Sequence, residues 1–355
     1  MADGNGRDTG RALYPHGPLT EWLARVFAAC GVPVADAATA AGLLVRTNAR
    51  GVETHGLTRV LVYVEKLRSG ELSAGATLRL EDRHGVLHAH ADGALGQACG
   101  IAIVDAAVER ARTAGIVTVI VHEIGHLAAL GQFVLRAAEA GMIGFITQST
   151  PPVMALPGSR GAAIGNNPLA YASPVPDGPP LVFDMAASGV ARGAVLLAAK
   201  QGRTLPEGWA IDEEGNPTTD PQAALRGAML PMAGHKGIGL AMMVESLAGS
   251  LSGAKPPAMT GAKPGSAPSR VGAFLMVINP DLVAGRDAYA AHMAGWIATY
   301  RAASGEQGRY PGERAAALEA ERYAAGIPLP PATVADLARV GEMTGVPFDV
   351  EPART

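Results

Sequence analysis

Between residues 76 and 279 the hydrophobic period of the sequence switches again and again, and this rhythm restricts the fold more than any other feature. Apolar and polar residues alternate through ATLRLEDRHGVLHAHADG at 76–93, and a helix-spaced segment after Gly96 leads into the β-branched run GIVTVIV at 115–121. A helix is expected near 127–140, a strand at 142–148 and an apolar strand ending in LVFDM at 181–185. Helices from Ser188 to Lys200 and from Gly237 to Leu251 follow, then the strand VGAFLMVIN at 271–279. A period of two fits a half-buried strand, and a period near 3.6 fits a helix with one apolar face. Each needs the other as cover, so the fold class is α/β or α+β, with helices packed on a sheet.

The flanks lack the two-residue period. Leu19, Trp22, Leu23, Val26 and Phe27, then Leu43, Leu44 and Val45, then Val60, Leu61, Val64 and Leu67 repeat at helical spacing, and helices return from about Asp287. The expected layout is a disordered tail over 1–18, a helical domain from 19–72 and about 287–355, and a sheet-containing domain over 73–286. Residues 252–270, rich in Gly, Pro, Ala and Ser, read either as a mobile flap or as a tolerated insertion.

Composition narrows the function classes. A net charge of −3 disfavours polyanion binding. Charged residues make up 17% and hydrophobic residues 48%, against about 25% charged in ordinary domains, so surplus apolar surface needs a core or a subunit interface. Cys30 and Cys99 are too far apart for a CxxC motif and too few for a disulfide framework, which suits a reducing compartment. The N-terminal residues lack the apolar run of a secretory signal. The apolar stretch GIGLAMMVESLAGSLSGA is short for a bilayer span and carries Glu245. A soluble, cytoplasmic protein with no nucleic-acid or membrane partner is expected.

Four clusters carry candidate chemistry. His122-Glu123-Ile124-Gly125-His126 spells HExxH, but that zinc motif needs a continuous helix to put both imidazoles on one face. Here it ends a β-branched run and contains Gly125, and Ala129 and Gln132 stand where the extended motif requires Gly and His. A strand-to-helix turn presenting one functional His is the competing reading, at a place where open sheets bind ligands. The stretch from Arg46 to Arg59 includes Thr54 and His55: an imidazole that can pass a proton, near a guanidinium that can hold a carboxylate, or simply a capping turn with solvated arginines. Asp184, in FDMAAS, ends an apolar strand and is either functional or an N-cap. The turn LPMAGHKGIG carries Lys236 into a helix in the manner of a phosphate cradle, without being a Walker loop. The GxGxxG fingerprint is missing, because Gly158, Gly161 and Gly165 have the wrong spacing. A Rossmann domain is not expected.

Taken in order, the segments RGVETHGLTR, GHLAAL, AGMIGF, GNNPLAYASP, FDMAASGVARG, LPEGWAIDEEGNPTTDP, LPMAGHKGIGLAMMVESLAG and YPGE resemble the malate/L-lactate dehydrogenase family of non-Rossmann oxidoreductases. That family includes ureidoglycolate and sulfolactate dehydrogenases and the Δ1-piperideine-2-carboxylate/pyrroline-2-carboxylate reductases. The likeness runs from about Leu19 to Gly326. It implies a homodimer, a helical region built from both chain ends, and a sheet domain that binds NAD(H) or NADP(H) in a fold of its own. Carried over residue by residue, Thr54 and His55 stand at the family's Ser-His, Asp184 completes a relay, and His126 is the other active-site imidazole. Ser149, Asp184, Met185, Ala186, Lys236, Gly237, Pro311, Gly312 and Glu313 fall at cofactor-contact positions, and Ala128, Ala129 and Leu130 form a backbone turn against the cofactor. The sequence departs from the family at Thr54, which adds a methyl to the hydroxyl, and at Asn166, which replaces the usual Thr of GTNP.

The resemblance implies hydride transfer between nicotinamide and a small carboxylate substrate: a 2-oxo or 2-hydroxy acid, or alternatively a cyclic 2-imino acid, to which GHLAAL and AGHKG are most similar. His55 or His126 supplies the proton, with His126 the preferred donor and His55, Thr54 and Asp184 its supporting relay, and the Asp184 carboxylate would raise the pKa of a neighbouring imidazole. Arg59 would clamp the substrate carboxylate. Arg192, Lys200 and Arg203 either serve a 2′-phosphate or decorate a solvated helix, leaving NAD against NADP open. Readings from other classes are an HExxH metallohydrolase and a catalytically idle scaffold.

Overall fold

The computed structural model describes residues 11–255, 259, 270–305 and 308–353. They form two compact units, one within Met1–Gly70 and Arg314–Thr355, the other within Glu71–Glu313. The segment 252–270 lies mostly outside the described residues.

The first unit is helical. Helices His16–Ala29, Val34–Ala49, Val60–Arg68 and Pro331–Thr344 make up most of it, and the apolar positions predicted from Leu19 to Phe27 are all buried. Prolines at 15, 33 and 330 precede three of these helices, where a missing N–H leaves no helical bond unmade. The tail expected over 1–18 is corrected from residue 11 onward. Ala12–Tyr14 pairs antiparallel with Ile327–Leu329, and Tyr14 packs 5.8 Å from the Phe348 ring. These contacts join the two chain ends and order residues that looked too polar to fold.

The second unit holds a seven-stranded sheet, in the order Arg79–Arg83, Val86–His90, Ile116–Ile124, Val271–Ile278, Ile143–Gln148, Leu169–Ser173 and Leu181–Met185. Only Val86–His90 and Ile116–Ile124 run parallel, joined by helix Gly96–Ala114, and the other neighbouring pairs are antiparallel. The long apolar strand Val271–Ile278 therefore sits inside the sheet although it comes last in sequence. On one face, Ile120, Leu169 and Phe274 pack against Val244 and Ala248 of the helical segment that begins at His235. That segment widens into a π-helical turn over Glu245–Ser250.

A second sheet of five short strands shares a core of Met154, Ala187, Val195, Ala210, Met229 and Ala241 with helices Arg192–Lys200 and Pro221–Arg226. One expected boundary shifts. Helix Arg286–Ser304 belongs to the sheet-containing unit, because Met293 and Ile297 bury themselves against Val175 and Tyr310.

Candidate active site

Strand Ile116–Ile124 runs past its β-branched run and takes His122 and Glu123 with it, so the chain leaves the sheet at Gly125 and enters helix Gly131–Glu139 six residues later. Every residue from Ile124 to Leu130 is buried except His126, which is half-buried. Ala128 adopts a left-handed φ of 65°, uncommon for a residue with a Cβ. The loop is held by its backbone. The Gly125 N–H donates to the Ala94 carbonyl at 3.2 Å. Gln148 Nε2 donates to the Gly125 carbonyl at 3.0 Å, and its Oε1 accepts the Leu127 N–H at 3.1 Å. Gln97 Nε2 donates to the His126 carbonyl at 2.8 Å. Helix Gly96–Ala114 starts so close that a Cβ on Gly96 would lie 2.4 Å from that same carbonyl oxygen.

Asp184 ties a second strand end to this loop. Its Oδ2 accepts the N–H of Gly131, the first residue of the next helix, at 2.7 Å. Solvent reaches the side chain, yet the protein crowded around it pushes the carboxyl up to about 6, against the downward pull of the Gly131 bond.

Just beyond Asp184, backbone bonds draw two predicted cofactor turns together. Ala187 N–H donates to the Asn166 carbonyl (2.8 Å), Met232 N–H to the Ala187 carbonyl (2.9 Å) and Gly237 N–H to the Met232 carbonyl (3.0 Å). Gly237 is needed there, since a Cβ would meet Met232 O at 2.4 Å and Ala187 O at 2.7 Å. Helix His235–Val244 starts from Gly234 without a side-chain cap, and His235 and Lys236 are exposed. A helix N-terminus with an ammonium and an imidazole beside it is a donor set that suits the phosphates of a dinucleotide. Met185 and Ala186 are half-buried beside it.

Other predicted cofactor residues have internal partners. Pro311 O accepts the Val182 N–H (2.9 Å), Gly312 has φ 108°, and Glu313 pairs with Arg301 and accepts the Tyr310 N–H at 2.8 Å. Ser149 is buried and its hydroxyl donates to Glu245 Oε2 at 2.8 Å. Asn167 Nδ2 reaches the same oxygen at 3.1 Å, and Asn166 Oδ1 accepts from Thr150 Oγ1 at 2.9 Å. Arg192 bonds the Leu225 carbonyl and Arg203 pairs with Gln201. Sequence reasoning missed Gln97, Gln148, Asn167 and Glu245 as parts of this framework. The NNP of GNNPLAYASP was visible, but the partners of these residues lie far away in sequence.

Thr54, His55 and Arg59 lie in the helical unit. Thr54 Oγ1 and His55 Nδ1 are 2.9 Å apart, and Arg59 Nε donates to the Thr54 carbonyl at 2.8 Å. Asn48 braces this turn by accepting the Leu57 N–H at 2.8 Å, and Gly56 leaves room for it. His55 does not show the raised pKa expected of a carboxylate-paired imidazole: desolvation first, and Arg59 second, lower it to about 4. The HEIGH motif is divided by the strand end. His122 Nδ1 donates to the Ser252 carbonyl (2.8 Å), its Nε2 lies 2.9 Å from His88 Nδ1, and Glu123 faces Arg270 at 3.5 Å. Among the described residues no three His, Cys, Asp or Glu side chains are grouped as metal ligands would be.

Comparison with known proteins places this framework. The profile described as malate/L-lactate dehydrogenase matches residues 15–338. The chain is 37% identical to the (2R)-3-sulfolactate dehydrogenase (NADP(+)) of Chromohalobacter salexigens, over 87% of this chain and 92% of that protein. It is 35% identical to Δ1-pyrroline-2-carboxylate reductase 1 of Burkholderia ambifaria, over 87% and 91%. The crystal structure of Δ1-piperideine-2-carboxylate reductase from Pseudomonas syringae pv. tomato superposes with a TM-score of 0.84 at 32% identity, covering 93% of this chain and 99% of that one. The profile match and the two long alignments identify the chain as a member of the malate/L-lactate dehydrogenase family of oxidoreductases.

Proposed function

We propose that the chain transfers hydride between C2 of a small 2-oxo or 2-hydroxy acid and NAD(H) or NADP(H), bound by a sheet domain that is not a Rossmann fold. The observation that carries this reading is His126, the one accessible residue of an otherwise buried loop at a strand's C-terminal end. Where the same loop enters the next helix, Asp184 accepts the Gly131 N–H. When bound, the nicotinamide supplies or accepts the hydride. His126 gives a proton to the substrate oxygen in reduction and takes it back in oxidation. Asp184 supports His126 by holding the helix start at Gly131, and Thr54 and His55, 2.9 Å apart, form a hydroxyl–imidazole pair within the helical unit. We assign Arg59 to the substrate carboxylate, which a guanidinium can hold by two parallel hydrogen bonds. Lys236 and the helix start at His235 are assigned to the cofactor phosphates, and Ala128–Leu130, Ser149, Asp184, Met185, Ala186, Gly237 and Pro311–Glu313 to other contacts with the cofactor. The two thiols, Cys30 and Cys99, suit a reducing cytoplasm, and the enzyme is taken to work as a homodimer.

A cyclic 2-imino acid is the second reading, favoured by the 32% identity and TM-score of 0.84 to the Δ1-piperideine-2-carboxylate reductase of Pseudomonas syringae. An iminium arrives with its proton already on nitrogen, and hydride addition at C2 leaves a neutral amine without help from an acid. The absorbance of the reduced nicotinamide, followed with both cofactors against pyruvate, oxaloacetate, sulfopyruvate, ureidoglycolate and cyclic imines, tests both readings. His126→Asn separates them, sharply lowering the rate of oxo-acid reduction while sparing reduction of a protonated imine. Absence of turnover with every member of the panel would sink the proposal.

A further inference from the structure

We propose that Gln148 is a positioning residue that sets the reach of the His126 imidazole. The inference rests on the reading of His126 as the proton-transfer group. Gln148 ends the strand Ile143–Gln148 and is only 1% exposed. Its carboxamide brackets His126, donating to the carbonyl of the residue before it and accepting from the N–H of the residue after it. A planar amide bonded at both ends fixes the two peptide groups that flank the imidazole, so the loop cannot rotate about His126 without breaking two buried hydrogen bonds. Gln97, 0% exposed, adds a single bond to the His126 carbonyl from a different element. Neither glutamine is assigned to substrate or cofactor. Both hold backbone, which leaves the side chain of His126 as the accessible part of the loop.

The donor–acceptor pattern makes the role separable from mere packing. Gln148→Leu keeps most of the volume and removes both bonds. Gln148→Glu keeps the shape, but its carboxylate has no proton for the Gly125 carbonyl. Once protonated, the carboxylic acid donates to Gly125 and accepts from Leu127 as the amide does.

The test is steady-state kinetics of wild type, Gln148→Leu, Gln148→Glu and His126→Asn across pH, together with amide exchange of Leu127 in the cofactor-free proteins. Displacing a catalytic group by about 1 Å costs on the order of 100-fold. Gln148→Leu should therefore lose about 10- to 100-fold in kcat with a smaller change in KM, and its Leu127 amide should exchange at least about tenfold faster. Gln148→Glu should be impaired at alkaline pH and recover toward wild type as pH falls, a profile that loss of packing alone does not produce. If Gln148→Leu fails to fold, the pH-dependent recovery of Gln148→Glu decides. Wild-type kcat and wild-type Leu127 protection in the glutamate variant at all pH values would overturn the proposal, as would full oxo-acid reduction by His126→Asn. If wild type turns over no substrate, the functional reading falls separately, and Leu127 exchange still reports whether the clamp exists.

Discussion

Asp184 carries a penalty that its position explains. Its carboxyl titrates near 6, above the ordinary 3.8, so the folded chain holds that proton more tightly than the unfolded chain does. Its contribution to stability is therefore lost as pH rises from about 4 to about 6, and the penalty persists above that range. Asp184→Asn keeps an oxygen for the Gly131 N–H and removes the charge. The variant should melt above wild type at pH about 8, match it at pH about 4, and turn over more slowly, the trade expected where a site stores strain for function. A wild type that is the more stable at pH 8 would contradict this account. His55 has the opposite sign: a folded value of about 4 against 6.5 means its stabilising share is present above about 6.5 and lost as pH falls toward 4. His55→Asn should flatten that acid limb in thermal melts. His126→Asn should lower kcat for oxo-acid reduction by about 10²- to 10⁴-fold, as loss of a general acid does, and leave cofactor affinity in equilibrium titration near wild type.

Among the elements, the turn at Gly237 is the most sharply constrained. A methyl there would overlap two carbonyl oxygens at 2.4 and 2.7 Å, both belonging to backbone that cannot rotate away. Gly237→Ala should cost about 1–3 kcal/mol, the usual penalty of overpacking, and weaken nicotinamide binding in fluorescence titration because the helix start at His235 must shift. Unchanged stability and affinity would show the turn to be slack. The long strands of this unit were legible in sequence, because the β-branched run Val117–Val121 and the apolar run Val271–Ile278 leave little choice of structure. The short strands were not: Ile164–Gly165, Ala210–Ile211, Pro217–Thr218 and Ala228–Met229 hold two residues each, too few to show a period. The site divided along the same line. His126, Asp184 and Lys236 were readable as residues with chemistry at strand ends and turns. Gln148 meeting Gly125 and Leu127, and Ser149 turning toward Glu245 rather than outward, depend on partners 21 to 96 positions away. No local pattern encodes such pairs.

For the whole molecule, the open question set by composition is where the apolar surplus goes. No helix among the described residues is long and apolar enough to cross a membrane, so a spanning helix does not account for it. Part of it lies on the outside of the segment that begins at His235: Met242 is 61% exposed, Leu251 53% and Met243 39%. These residues back onto the core side that packs Val244 and Ala248 against the sheet, so the surface is rigid, and a rigid apolar surface is costly to leave in water. A second copy of the chain is the cover proposed here. Obligate interfaces commonly bury more than about 2,000 Å² with an apolar centre. Light scattering at micromolar concentration should give about twice the chain mass of 36.2 kDa. Charges placed at the centre of such an interface are desolvated without partners, so Met242→Glu combined with Met243→Glu should yield monomers that retain helix and sheet content by circular dichroism. If wild type is a stable, active monomer, the proposed homodimer is wrong. If the double variant stays dimeric, the dimer forms through another face and these methionines need a different explanation.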